Sequence, residues 1–217
     1  MTNKNVILLL SGGLDSLVSV AILLNNGFSI KKAIYIDYGQ KPALKELQAC
    51  EAICKYYKIE LEIIKLSWYK EISKNSALNN YTDNLENEEK SYWMPNRNGL
   101  FVNIAGSYAD AFNCNFIAIG ANREEAETYS DNSIEFVKNA TKLFETSTKN
   151  SVQVIAPLIE MDKNEIIKKA IELNTPLDLI WSCYVNNEKH CGQCPSCKLL
   201  KSALIKNKKQ ELLNKLF

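Results

Sequence analysis

The chain has 217 residues, 46% hydrophobic and 24% charged, with a formal net charge of +1. Those figures describe a globular protein of one ordinary domain with a small appendage. They exclude a membrane span, since no apolar run approaches the roughly 20 residues required, and a charge this near neutral gives no general reason to expect a nucleic-acid surface.

Residues 6–10, Val-Ile-Leu-Leu-Leu, form an apolar run that ends in Ser11-Gly12-Gly13-Leu14-Asp15-Ser16. Leu17, Val18, Ala21, Ile22 and Leu24 then recur at helical spacing. The pattern predicts a buried strand, a tight turn and the start of a helix. A helix start leaves backbone N–H groups unpaired and carries roughly half a positive charge, and glycines let an anion approach that backbone. Ser11 and Ser16 add hydroxyl donors. The stretch is built to hold phosphate. It lacks the spacing and the lysine of a Walker A loop. Ser-Gly-Gly-x-Asp-Ser instead resembles the PP-loop of the ATP pyrophosphatases, which implies cleavage of ATP to AMP and pyrophosphate. The residues leading into this strand, Met1-Thr2-Asn3-Lys4-Asn5, do not read as a signal peptide.

Residues 33–38 read as a second strand ending in Asp37-Tyr38-Gly39-Gln40. Pro42 suits the first turn of a helix. Leu44, Leu47, Cys50, Ile53 and Cys54 mark that helix's apolar face, and Cys50 and Cys54 are expected to be core filler, as is Cys114. A third strand spans about 61–66. Strands alternating with helices predict an α/β fold with a parallel sheet, whose ligands sit at the carboxyl ends of the strands. Asp37, Tyr38, Gly39 and Gln40 lie there, as does the Ser11–Ser16 loop, so all are candidate nucleotide contacts. Residues 73–91 hold five asparagines and few large apolar side chains, and read as a lid or a plain insertion.

Order is expected to return at Met94-Pro95-Asn96-Arg97-Asn98. Residues 100–112 form a small-residue helix in which Ala105, Gly106 and Ala109 allow close packing. A strand at 116–119 is followed by a loop at 120–125. A helix near 133–144, a strand near 152–156 and a helix near 162–173 complete a main domain, residues 1–177. Asp162 and Glu165 have the spacing of a capping box. The remaining residues, 178–217, form a cysteine-bearing C-terminal region and one further helix, lysine-rich in its last turns.

Cys183, Cys191, Cys194 and Cys197 lie within fifteen residues, in a seven-residue gap followed by two Cys-x-x-Cys steps. Four thiolates at such spacing suit tetrahedral Zn²⁺; an iron–sulfur cluster is the alternative. With no signal peptide, the pattern reads as a metal site in a reducing cytoplasm rather than a disulfide framework. The sole histidine, His190, sits beside a metal-ligand candidate, so a Ser-His-Asp or Cys-His mechanism has no free base. Phosphate chemistry is what the residues favour. It needs Mg²⁺ to bridge the phosphates, which Asp15 could organise. Arg97, one of only two arginines, could neutralise departing pyrophosphate; a structural salt bridge is its competing role.

The ordered set, Ser11–Ser16, Asp37–Gln40, Met94–Asn98 and Trp181-Ser182-Cys183-Tyr184 with Cys191, Cys194 and Cys197, resembles the 7-cyano-7-deazaguanine synthase family over nearly the whole chain. The resemblance implies a PP-loop fold, a zinc site, a homodimer and no direct nucleic-acid partner. It implies that ATP adenylates the carboxylate of 7-carboxy-7-deazaguanine, that ammonia forms the amide, and that a second ATP drives dehydration to the nitrile. It assigns catalysis to Asp15, Ser16, Arg97 and Asp131, with Asp131 directed to the base or to the incoming amine. The chain departs from the family pattern at Lys41-Pro42, at Asn132-Ser133 (where a cysteine and an arginine are usual) and at Leu200. These departures predict that carboxylate-dependent pyrophosphate release survives while conversion of free amide to nitrile weakens. Two alternatives follow: a paralogue of the antiviral-defence type joining the deazaguanine acyl group to a protein amine, or a tRNA-modifying PP-loop enzyme. A nucleotide-binding subunit without catalysis would be a third.

Overall fold

The computed structural model describes residues 4–73, 76 and 92–217. Residues 73–91, read from sequence as a lid or insertion, lie outside this description except for Ser73 and Ser76. Five parallel strands make one sheet: β1 (Asn5–Leu9), β2 (Ser29–Asp37), β3 (Leu61–Lys65), β4 (Phe116–Ala118) and β5 (Gln153–Ile155), in the spatial order β3-β2-β1-β4-β5.

Alternation along the strands divides the core into two layers. Val6 and Leu8 of β1 face the same side as Ala33 and Tyr35 of β2, while Ile7 packs with Ile34 and Ile36 on the other. On the first side lie α1 (Leu14–Asn25), much of α2 (Ala43–Tyr57), α7 (Lys163–Glu172) and α8 (Pro195–Lys206). On the second lie α4 (Arg97–Ala111) and α6 (Ile134–Ser147). The short helices α3 (Tyr69–Ile72) and α5 (Arg123–Thr128) and the closing α9 (Gln210–Leu216) complete the molecule. Small residues decide the α4–α6 contact. A Cβ on Gly106 would come within 2.5 Å of the Phe144 ring, so only glycine admits that ring.

The Asp162 capping box is present: Glu165 N–H donates to Asp162 Oδ1 at 2.8 Å and Asp162 N–H to Glu165 Oε2 at 2.9 Å. Cys50, Cys54 and Cys114 are buried in the core. Two expectations need correction. The stretch 120–125 is not all loop, because Asn122 caps α5 by accepting from the Glu125 N–H at 3.0 Å. The C-terminal helix is two helices. Lys208 takes a left-handed φ of 57°, and Asn207 turns its side-chain amide onto the Ala203 carbonyl and onto Asn164. The chain thereby folds back and brings Phe217 against His190, with ring centroids 5.3 Å apart.

Candidate active site

The connection leaving β1 runs to β2 on one side, and the connection leaving its other neighbour, β4, runs to β5 on the opposite side. The loops after β1 and β4 therefore part, and a crevice opens at the carboxyl ends between them. The crevice is a cavity of about 580 Å³. Ser11, Gly13, Leu14, Asp15 and Ser16 line one end of it, and Tyr38, Gln40, Arg97 and Asp131 line it further along. Gly12, Asp37 and Gly39 are not among its walls. Gly12, at φ +77°, presses against α2, where an added Cβ would sit 2.6 Å from the Glu46 carbonyl oxygen. Asp37 closes its own turn by accepting the Gly39 N–H at 3.0 Å.

The phosphate loop is tied from within and from the C-terminal region. Ser11 Oγ donates to Ser16 Oγ at 3.2 Å, and Ser16 Oγ donates to the Gly13 carbonyl at 3.1 Å. Trp181 N–H donates to the Gly12 carbonyl at 2.8 Å, and Leu14 N–H to Ser182 Oγ at 3.2 Å. The N–H groups of Asp15 and Ser16 have no partner among the described residues, and both residues line the cavity. A Cβ on Gly13 would meet nothing closer than 3.5 Å, so the space in front of that backbone is open to a ligand. Gly120 lets the β4 loop pass close by, since a Cβ there would lie 3.1 Å from the Ser16 nitrogen.

Sequence reasoning missed the charged floor of this end. Lys163, in the first turn of α7, bonds Asp15 Oδ2 and also Glu125 Oε1 at 2.9 Å. Asn122 donates to Asp15 Oδ2 at 3.4 Å, and Asp15 Oδ1 is buried without a partner among the described residues. Burial raises the Asp15 pKa to about 6 although Lys163 opposes the shift. A signal existed. A lysine directly after an N-cap aspartate works against the helix dipole, a local cost that a buried counter-charge offsets.

At the other end Arg97 donates to the Tyr38 hydroxyl at 3.4 Å and to Asn98 Oδ1 at 3.4 Å, with its guanidinium 5.9 Å from the Tyr38 ring centre. It has no carboxylate ion pair among the described residues. Arg123, by contrast, is a structural clamp on Asp162 and Glu165 at 3.2 and 3.0 Å. Asn98 Nδ2 donates to the Asp131 carbonyl at 3.1 Å, which fixes the 3₁₀ turn Ser130–Asn132 beside Arg97. Burial raises the Asp131 pKa and Arg97 lowers it, with a net rise. Glu46, also unforeseen, accepts from Gln40 Nε2 at 2.6 Å, while Gln40 Oε1 takes the Tyr38 N–H at 2.9 Å. Glu46 thus holds the turn that carries Tyr38.

Away from the cavity the four Sγ atoms of Cys183, Cys191, Cys194 and Cys197 all lie within 4.8 Å of one another, and none is in a disulfide. The Cys191–Cys197 separation is 3.9 Å, close to the roughly 3.8 Å edge of a tetrahedron with Zn–S bonds of about 2.3 Å. Backbone N–H groups point at the sulfurs: Cys191 at Cys183 Sγ, 3.3 Å, and Gln193 and Cys194 at Cys191 Sγ, 3.4 Å. The set fits a tetrahedral metal. His190 is a buried brace: its Nε2 accepts the Ser182 N–H at 3.0 Å, and burial lowers its pKa, which keeps the ring neutral.

The family model described as queuosine biosynthesis protein QueC matches residues 5–208. The chain belongs to the QueC family. A QueC relative named 7-cyano-7-deazaguanine synthase, from Methanosarcina barkeri, is 41% identical over 207 residues, covering 88% of this chain and 89% of the relative. Among solved structures the chain is similar to NMN synthetase from Francisella tularensis (TM-score 0.55, 14% identity, 99% of this chain and 83% of that one). It is also similar to the U34-tRNA thiolase NcsA from Methanococcus maripaludis with its 4Fe-4S cluster (TM-score 0.51, 21% identity, 100% and 71%). These two likenesses show the fold alone, the α/β PP-loop architecture expected from sequence.

The Glu46 carboxyl generates a pH test. Burial raises its pKa from 4.5 to about 7, a shift that Gln40 and Arg97 only reduce. The folded state therefore holds that proton more tightly than the unfolded chain, and stability falls as pH rises between about 4.5 and 7. Glu46→Gln should flatten this part of the profile, gaining stability relative to wild type at pH 8 and not at pH 4. Urea denaturation of both proteins across that range checks it.

Proposed function

We propose that the chain is an ATP-dependent carbon–nitrogen ligase that makes 7-cyano-7-deazaguanine, activating the carboxylate of 7-carboxy-7-deazaguanine as an adenylate and amidating it with ammonia before dehydration. The observation that carries this reading is one cavity with an open phosphate cradle at one end and Arg97, Asp131 and Asn98 at the other, in a QueC chain. The free N–H groups of Asp15 and Ser16 and the Ser11 and Ser16 hydroxyls suit the phosphates. The buried, unpartnered Asp15 Oδ1 suits Mg²⁺. Arg97, unpaired with any carboxylate among the described residues, suits the charge that develops as pyrophosphate departs. Asp131 suits the base or the amine. The four cysteines suit Zn²⁺ in a structural role, since a full set of four thiolates leaves no open coordination position. We place the enzyme in the cytoplasm as a homodimer. The family resemblance supports that placement, and no helix among the described residues is long and apolar enough to cross a membrane.

Gly13→Val should leave the fold intact, because its φ of −81° suits any residue and its Cβ meets only ordinary contacts. The larger side chain fills the phosphate cradle, so ATP binding by calorimetry should be lost. Unaltered ATP affinity would defeat the assignment of the loop.

Mass spectrometry of a reaction with ATP, Mg²⁺, carboxydeazaguanine and ammonium should find AMP, pyrophosphate and the nitrile. ADP and phosphate would refute the PP-loop chemistry. Accumulation of amide would trace to the departures at Asn132 and Ser133. A protein adduct of deazaguanine mass would move the reading to the conjugating paralogue.

Elemental analysis of aerobically purified protein should give about one zinc per chain. A brown protein containing iron and sulfide would replace zinc with a cluster. Stripping the metal should lower ATP affinity as well as stability, because Trp181 and Ser182 hold the phosphate loop directly beside Cys183.

A further inference from the structure

In the stretch Trp181-Ser182-Cys183-Tyr184 the first two residues brace the phosphate loop and the third joins the cysteine cluster. The side chain of Tyr184 does neither. It lines the cavity and packs against Tyr92, with ring centroids 5.1 Å apart and the rings tilted by 45°. Its backbone is anchored by the cysteines: the Tyr184 N–H donates to Cys194 Sγ and the Val185 N–H to Cys183 Sγ. The ring thus reaches the cavity from a rigid base. Its hydroxyl has no hydrogen-bond partner among the described residues. Other phenols of this region are committed. Tyr38 accepts from Arg97, Tyr69 donates to the Pro95 carbonyl at 2.6 Å, and Tyr35 donates to the Ala43 carbonyl at 2.8 Å. Charged groups from both ends of the cavity act on Tyr184: Glu125 from the phosphate end and Arg97 from the other.

We propose that Tyr184 is a catalytic residue, its hydroxyl donating a hydrogen bond to the substrate carboxyl oxygen that is never joined to phosphorus, and that this bond chiefly serves the amidation step. The proposal rests on the ligase reading above and assigns that reaction a further residue. With phosphates at the Ser11–Ser16 loop and the deazaguanine toward Arg97, Asn98 and Asp131, the reacting carboxyl group lies between the two ends, where the Tyr184 hydroxyl has its proton to give. In the first step one carboxylate oxygen bonds to the α-phosphorus, and pyrophosphate leaves with the electron pair of the broken P–O bond. In the second, the ammonia nitrogen bonds to the acyl carbon and the carbonyl electron pair moves onto the other oxygen. That pair returns as the C–O bond to AMP breaks, AMP leaves with its electrons, and one ammonia proton passes to solvent. Negative charge on the second oxygen is greatest while the C–N bond forms. A fixed donor aimed there favours the transition state over the bound adenylate and needs no reorganisation at the moment of reaction.

Tyr184→Phe removes one oxygen and keeps the ring against Tyr92. Because the hydroxyl has no protein partner to lose among the described residues, the urea midpoint, metal content and ATP affinity of the variant should match wild type. Rapid-quench kinetics of the full-length, metal-loaded protein with labelled ATP, Mg²⁺, carboxydeazaguanine and ammonium separates the two steps. Pyrophosphate released in the first turnover reads adenylation, and amide formed with AMP reads amidation. The variant should keep its first-turnover pyrophosphate and form amide about 100- to 1,000-fold more slowly, the scale of one lost oxyanion donor. Acyl adenylate should accumulate in the variant and not in wild type. A structural role would not split the two steps in this way. Amide formation at the wild-type rate would overturn the proposal, as would equal slowing of both steps with no adenylate accumulating. Either result, obtained beside an active wild type, leaves the ligase reading standing. A wild-type protein that releases no carboxylate-dependent pyrophosphate would defeat that reading and the proposal with it.

Discussion

The site exists because β1 has a parallel neighbour on each side. The connection leaving β1 runs toward β2 and the one leaving β4 runs the other way, toward β5, so the backbone at the carboxyl end of β1 is covered by neither. The fold must leave a crevice there, and the first turn of α1 is the polar surface at its base. Everything that makes the crevice selective is delivered to this point from elsewhere in the chain. Tyr38 and Gln40 come from the end of β2, Asn122 and Glu125 from beyond β4, Lys163 from the start of α7, and Ser182 from beyond the last strand.

The cysteine region is the second support, and it acts at short range. Trp181 and Ser182 bond the backbone on either side of Gly13. Ser182 in turn is held by His190, whose own N–H donates to the Leu216 carbonyl at 3.0 Å. The cysteine cluster begins one residue after Ser182 and pins the intervening chain. A metal held there would bear on the Ser11–Ser16 loop through Trp181 and Ser182. Cys183, Cys194 and Cys197 share an apolar core with Ile7, Ile34 and Ile117 of the sheet, so the C-terminal residues are bonded into the same structure as the nucleotide fold.

Charge in the cavity is arranged in two separate sets. At the phosphate end, carboxylates outnumber the one ammonium, which suits a cation-dependent ligand. At the far end, Arg97 faces a tyrosine hydroxyl and an asparagine and keeps its charge uncommitted among the described residues. An arginine already paired with a carboxylate would be satisfied before the reactants arrived. Glu46 stands behind this end, and through Gln40 it holds the Tyr38 turn. The cysteine and arginine replaced by Asn132 and Ser133 would lie beside Asp131, at the end where the carboxylate substrate is proposed to sit, not at the phosphate end.

Local chemistry made much of this protein legible from its sequence. The strand–glycine–helix pattern at 6–24, the alternating helical and strand periods, the Asp162–Glu165 box and the cysteine spacing are short-range features, and each appears where the residues place it. Family membership was legible for the same reason, being carried by short ordered motifs. The break at Lys208 escaped because Asn207 holds it through a long-range contact with Asn164. Gly12 and Asp37 belong to the motifs, yet they serve the backbone and leave the cavity walls to their neighbours, a division that depends on which way a turn faces. The meeting of Asp15, Glu125 and Lys163, which are 110 and 38 residues apart in turn, was decided only by the tertiary structure. No periodicity relates these positions. They come together because parallel strands deliver successive loops to one edge of the sheet, and because the buried Lys163 ammonium there requires carboxylate partners.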